Sequence, residues 1–342
     1  MIREYGSDFH SYLNAPDGEK STYFDSSDFS FFFSGRVALY NLLAFGIKKY
    51  NWKKIGFPSY YCHEVVDFCR KLPAEIVYYN YNPFLKSEDL VWDDRPDHVF
   101  INVDFFGIVK CDTSLFNQSV IIDDLTHNLL SIHRSNADYC FASLRKQLPV
   151  PAGGFCFSRK GDLDIRSSIN VFADKVALQK LSAMYLKSEY LQGNFQHKDV
   201  FRALFVNAEE QFESFETNAK LPELVRSQLF SLPVETLLQK TYQNIRDAKR
   251  NLHTPNEIAI MGQGSETAMG LLFLCENSEI RDRFKTYLVQ HNIYPAILWP
   301  RQFNHKDIDL QDRFLFVHCD FRYNDDDVDY ITQTINNFCK HV

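Results

Sequence analysis

Apolar runs of strand length alternate with helix-length stretches through the first half of the chain. The runs at 29–33, 54–57, 74–79, 98–104, 120–122, 138–142 and 155–157 are dense in Phe, Ile, Val and Tyr. Near-continuous apolar runs of this kind read as strands covered on both faces. After the first run, Val37, Leu39, Tyr40, Leu42, Leu43 and Phe45 fall at helical spacing. Another helix starts near Pro58–Ser59–Tyr60–Tyr61 with aromatics at its head. Strands alternating with helices predict an α/β fold with a doubly wound, mainly parallel sheet. From 173 to 215 the pattern turns helical. One predicted apolar face holds Leu178, Leu181, Tyr185, Leu186 and Tyr190; a second holds Ala203, Leu204, Val206, Phe212 and Phe215. A further helix is predicted over 237–252. Beyond Pro255, strands at 267–275, 293–299 and 313–318 and helices at 278–291, capped by Ser278, and at 325–339 predict a small α+β unit. The expected division is a large α/β domain over 1–235 and a small C-terminal α+β domain over 236–342. Residues 1–30, polar and aromatic, are expected to form an arm on the body or on a partner subunit.

The stretch 120–157 concentrates the candidate chemistry. Its first strand ends in Asp123 and Asp124, followed by His127. The next strand runs into Ser143–Leu144–Arg145–Lys146, and Gly153–Gly154 precedes another apolar run. Ligands of open α/β sheets sit outside the carboxyl ends of the strands, so an acid, a histidine, a hydroxyl and a lysine are delivered to one edge. A lysine beside a buried acid is a candidate nucleophile toward a carbonyl. If Asp123 and Asp124 are both still in strand they point to opposite faces, and only one can reach a ligand. Upstream, Ser34–Gly35–Arg36 opens a helix. Exposed amides and the helix dipole at such a start favour a phosphate; Ser34 is equally a good N-cap.

Composition narrows the classes. The 342 residues carry a net charge of −7 with 31 Phe and 18 Tyr, and the pI is near 5.9. That balance argues against a nucleic-acid or anionic-membrane partner, either of which calls for a basic face. No apolar run has the length of a bilayer span, and the polar N-terminus lacks the apolar core of a signal peptide; a cytoplasmic location is expected. The eight cysteines form no CxxC pair and read as reduced, mostly buried thiols. A metal site is unsupported, since His63–Glu64 lacks the second histidine of HExxH.

These motifs together resemble the DegT/DnrJ/EryC1/StrS sugar aminotransferases, pyridoxal-phosphate (PLP) enzymes of fold type I. Ser34–Gly35–Arg36–Val37–Ala38–Leu39 is similar to the family's Ser-Gly-Thr-x-Ala-Leu loop, and Pro58–Ser59–Tyr60–Tyr61 to its Pro-x-x-aromatic turn. Asp123–Asp124–Leu125–Thr126–His127 resembles its Glu-Asp-Ala-Ala-Gln strand end, and the Lys146 loop with Gly153–Gly154 its lysine loop. The resemblance implies a large PLP-binding domain followed by a small one. It implies that Lys146 bonds PLP covalently, that Asp124 lies under the pyridine nitrogen and that His127 bonds the phenolic oxygen. Ser34, Gly35 and Ser143 would hold the phosphate, with Arg36 beside them. Tyr61 would stack on the ring, with Tyr60, Cys62 and His63 as alternatives. Departures are Arg36 for threonine, His127 for glutamine, and a short Ser143-to-Lys146 spacing. The implied activity is amino transfer, with glutamate the usual donor, to a keto-sugar nucleotide in amino-sugar or polysaccharide biosynthesis. A homodimer is implied, with the partner subunit completing the phosphate site and Asn194 one candidate for that contribution. Arg246, Arg250, Trp299, His318 and Arg322 are candidate substrate readers. A lyase-type reaction on the same cofactor, or a non-catalytic family member, are the alternatives.

Overall fold

The computed structural model describes residues 2–12, 22–83, 90–161, 163–212, 218–263 and 269–341. In chain order the elements are β1 (Tyr5–Gly6), β2 (Phe29–Phe32), α1 (Gly35–Tyr50), β3 (Lys54–Pro58), α2 (His63–Cys69), β4 (Glu75–Tyr79), β5 (His98–Val103), β6 (Val120–Asp124), β7 (Tyr139–Ser143) and β8 (Gly154–Phe157). Helices α3 (Val171–Gln192), α4 (Lys198–Phe212), α5 (Glu223–Ser231) and α6 (Val234–Asn251) follow. The chain ends with β9 (Ile258–Ile260), β10 (Leu271–Cys275), α7 (Ser278–Gln290), β11 (Ile293–Tyr294), α8 (His305–Arg313), β12 (Phe314–Val317) and α9 (Asp325–Cys339).

A seven-stranded sheet of order β2-β8-β7-β6-β5-β3-β4 forms the scaffold. Strand β8 runs antiparallel to both neighbours and every other pair is parallel. Interior strand β5 is buried at every position, which is why its sequence is mostly apolar rather than an alternation. A second, antiparallel sheet of order β12-β10-β9 carries α7 and α9. Helix α6 joins the two cores: Leu237 and Leu238 pack with the residues around β8, Ile245 and Ala248 with the C-terminal sheet.

The arm packs on its own chain. β1 pairs in parallel with β11, and Phe9 stacks on Phe321 with centroids 5.5 Å apart. All eight cysteines are free, with Cys62 alone less than fully buried.

Four expectations need correction. The buried face of α3 is Ala173, Val176, Ala177, Lys180, Ala183, Met184 and Lys187, while Leu178 and Tyr185 are exposed. Small residues let α3 approach its neighbours closely, and both inward lysines find oxygen partners: Lys180 bonds Glu209, and Lys187 the Asp8 carbonyl at 2.5 Å. On α4 the buried set is Phe201, Phe205, Ala208 and Phe212, with Val206 outside. Helix α7 is capped by Asn277, whose side chain accepts from the Ile280 amide, not by Ser278. The strand expected over 293–299 shrinks to β11 and a single bridge at Ala296, because the chain leaves the sheet there to line a cavity. Phe215, Thr267 and Ala268, at the ends of expected elements, lie outside the described residues.

Candidate active site

At the carboxyl edge of the large sheet is a cavity of about 430 Å³. Its lining brings together Ser34, Gly35, Arg36, Tyr61, Asp124, His127, Ser143 and Lys146, all eight of the residues singled out from sequence. These come from four separate strand ends and from the head of α1, so the sheet order is what assembles them.

Close backbone approach sets the α1 corner. The Gly153 amide donates to the Phe33 carbonyl at 2.7 Å. A Cβ on Gly154 would sit 2.4 Å from the Gly35 nitrogen, and one on Gly35 would sit 2.8 Å from the Ser143 Cβ. Both distances are inside contact limits, so only glycine lets the α1 start, the Ser143 loop and β8 meet. Ser34 caps α1, its hydroxyl accepting from the Val37 amide at 3.4 Å. Arg36 pairs with Glu64 at 3.4 Å, and Arg301 reaches the same glutamate at 3.6 Å.

The two strand-end aspartates separate as the strand period requires. Asp123 faces away from the cavity, where it meets Lys110 and Ser135. Asp124 faces in. Its Oδ2 accepts from the Tyr61 hydroxyl at 2.5 Å and its Oδ1 from the Thr126 amide at 2.9 Å. Burial raises its carboxyl above the usual range, the bonds from Thr126 and Tyr61 opposing. No ion pair reaches it among the described residues. Tyr61 therefore lines the cavity with its hydroxyl committed to the acid.

His127 packs against two aromatic rings that also touch each other. Phe106 lies 4.5 Å away at 10°, and Trp299, which also lines the cavity, 5.1 Å away at 19°. The Phe106 amide donates to Nδ1 at 3.4 Å, which leaves Nε2 to carry the proton. Burial, then the charge of Lys146, pushes the imidazole down to about 3, so the ring is neutral at any ordinary pH.

Lys146 ends a 3₁₀ turn off β7. Protein atoms surround it, yet its side chain keeps accessible surface where it lines the cavity. Neither a hydrogen bond nor an ion pair holds its Nζ among the described residues. The neighbouring Arg145 guanidinium first, and burial second, lower its amine to about 8.

The other candidates divide. Trp299 and His318 line the cavity. Arg322 does not: it forks onto Asp320 with two 2.8 Å bonds. Arg246 and Arg250 bond Gln243 and Asp247 on the outer side of α6. Asn194 bonds Glu189 and Gln192 just past the end of α3. Sequence reasoning missed the cluster Arg145–Glu209–Lys180 against this cavity. Its signal was present, as a lysine on the alanine-rich inner stripe of α3.

No family model and no curated protein sequence matches the chain. Solved structures do. PseC of Helicobacter pylori, an aminotransferase involved in the biosynthesis of pseudoaminic acid, is 12% identical with a TM-score of 0.62; the match covers 99% of this chain and 100% of that one. Spr1654 of Streptococcus pneumoniae, solved in PLP and PMP forms, gives 14% identity and a TM-score of 0.59 for its PMP form, over 92% of this chain and 88% of that one. The sugar aminotransferase CalS13 of Micromonospora echinospora gives 12% and 0.57, over 91% and 87%. At these identities the likeness is one of fold. The chain has the fold-type-I architecture of PLP-dependent transferases, and its solved structural neighbours include sugar aminotransferases. Among the described residues, no helix is long and apolar enough to cross a membrane.

Proposed function

We propose that this protein is a PLP-dependent aminotransferase that moves an amino group from an amino-acid donor to a keto-sugar nucleotide. One observation carries the proposal: Lys146, whose amine has no hydrogen-bond or ion-pair partner among the described residues, shares a cavity with a buried acid, Asp124, that no cation among them pairs with.

The donor set fits the cofactor. Asp124 offers a carboxylate to a cationic ring nitrogen, whose charge would offset the cost of burying the acid. Neutral His127 offers an Nε2 proton to a phenolate oxygen. Ser34, Ser143, the α1 amides and Arg36 suit a phosphate. Bound PLP supplies an electron sink for charge developing at the substrate α-carbon. Lys146, with its neutral amine, would hold the cofactor and would carry the proton to and from the substrate α-carbon. Trp299 and Phe106 pack on the His127 ring and hold its plane. Glutamate as donor, a homodimer whose partner subunit completes the phosphate corner, a cytoplasmic location and a place in amino-sugar or polysaccharide biosynthesis belong to the same reading. So does the division into 1–235 and 236–342, with α6 reaching from one core to the other.

The test is to add PLP to the purified protein, record a visible absorption band, reduce with borohydride and map the adduct by mass spectrometry. The pyridoxyl group is expected on Lys146 and lost in Lys146→Ala. A panel of amino acids should then bleach the band with glutamate. Absence of both band and adduct sinks the proposal; an adduct with loss of carbon dioxide or of a substituent, but no amino transfer, points to a lyase.

A further inference from the structure

The cavity carries a second charged cluster beside Lys146 that the cofactor reading does not use. Arg145 Nη1 lies 2.8 Å from Glu209 Oε1, and Lys180 bonds the same oxygen. One carboxylate thus serves two cations. The Arg145 guanidinium lies over the Phe212 ring, 4.6 Å from its centroid, which fixes its plane. Its Nε is buried with no hydrogen-bond partner among the described residues. Arg145, Lys180 and Phe212 all line the cavity; Glu209 stands behind them. The other glutamate at the cavity, Glu64, is held by Arg36 and Arg301, and Asp123 faces away. Asp8 also lines the cavity, and its charge reaches Lys180 without forming an ion pair; among the described residues Glu209 is thus the only carboxylate bonded to Arg145 and Lys180, next to the reacting amine. Leaving buried cations short of counter-charge is costly, and a planar guanidinium with unspent N–H groups matches a carboxylate.

Resting on the aminotransferase reading, we propose that Arg145 and Lys180 form the subsite that takes the carboxylate of the amino donor, with Glu209 as the resident counter-ion that sets its strength. The donor's amine is then presented where the Lys146 amine stands. The Ser34–Gly35–Ser143 corner with Arg36 remains for the phosphate, so the two anions have separate places.

Glutarate has the carboxylates of glutamate and no amine, so it reports binding without reaction. Calorimetric titration of the cofactor-free protein is expected to show glutarate binding, while uncharged glutaramide shows none. Lys180→Met is expected to weaken glutarate at least tenfold, and Glu209→Gln to tighten it several-fold, while the affinity for inorganic phosphate stays within twofold in both. If Lys180→Met fails to fold, Glu209→Gln decides: unchanged or weaker glutarate binding overturns the proposal. It is equally overturned if Lys180→Met leaves glutarate unaffected, or if it weakens PLP and inorganic phosphate but not glutarate, which would make this the phosphate site. Glutarate binding that depends on Lys180, in a protein that forms no adduct at Lys146, would keep the subsite and remove the aminotransferase.

Discussion

A lysine amine is a nucleophile only when neutral, and at Lys146 the neighbour that makes it so is the preceding residue. Arg145 and burial bring the amine from 10.5 to about 8. A depressed amine pKa means that the neutral form grows as pH rises through that value. The rate at which PLP attaches to cofactor-free protein should climb about tenfold per pH unit from 6 to 7 and level off above 8. Stopped-flow absorbance reads this directly; a rate still climbing tenfold per unit between pH 9 and 10 would mean an ordinary lysine. At this scale much was legible. Strand alternation separates Asp123 from Asp124 with no tertiary knowledge. His127 could be placed at the strand end, but its neutrality could not, because that depends on burial to which Phe106 and Trp299 contribute from distant segments, and on the charge of Lys146.

Among elements, the α1 start, the Ser143 loop and β8 behave as one corner. Gly154→Ala puts a methyl 2.4 Å from the Gly35 nitrogen, against backbone that cannot swing aside. The expected cost is about 1–3 kcal/mol, in the range of core overpacking, together with weaker PLP binding as the α1 amides shift. Urea unfolding and a PLP titration measure the two effects; a variant as stable as the parent would show that the corner yields. Strands were the most readable elements, since covered strands need near-continuous apolar runs. The faces of α3 and α4 were the least. Large apolar residues advertise a core face, but α3 buries alanines and oxygen-bonded lysines and leaves Leu178 and Tyr185 outside. Close helix packing rewards small side chains, and hydrophobicity alone does not report that.

Across the whole molecule, Arg322 ties the arm to the C-terminal region. Its guanidinium forks onto Asp320 and also donates to the carbonyls of Ser7, at 3.4 Å, and Asp8, at 3.2 Å. Both partners of the pair are buried. Burial alone would raise the Asp320 carboxyl; the Arg322 charge overrides it and holds the group well below the carboxylate range. Arg322→Ala strands a buried carboxylate, and about 3–5 kcal/mol of stability should be lost at neutral pH. For a depressed acid that contribution is complete above the unfolded pKa of about 4 and fades as pH falls. The gap between parent and variant should therefore narrow in acid. Chemical denaturation at pH 7 and at pH 4 tests it, and a gap that widens at pH 4 would contradict the pairing. The arm also supplies Ser7, Asp8 and Phe9 to the cavity wall.

The sequence by itself determined the alternating fold, the separation of Asp123 from Asp124 and the lysine at a strand end, because each follows from short-range rules of strand period and helix start; which acid faces in, and that Gly35, Ser143 and Gly154 meet, was decided by the tertiary structure. Tertiary structure alone decided which charges stand against Lys146. Arg145 is its chain neighbour, yet what it does depends on Glu209 and Lys180, brought in by α4 and α3 from more than thirty positions away. Electrostatic environment is a property of distance in space, and spacing along the chain does not encode it.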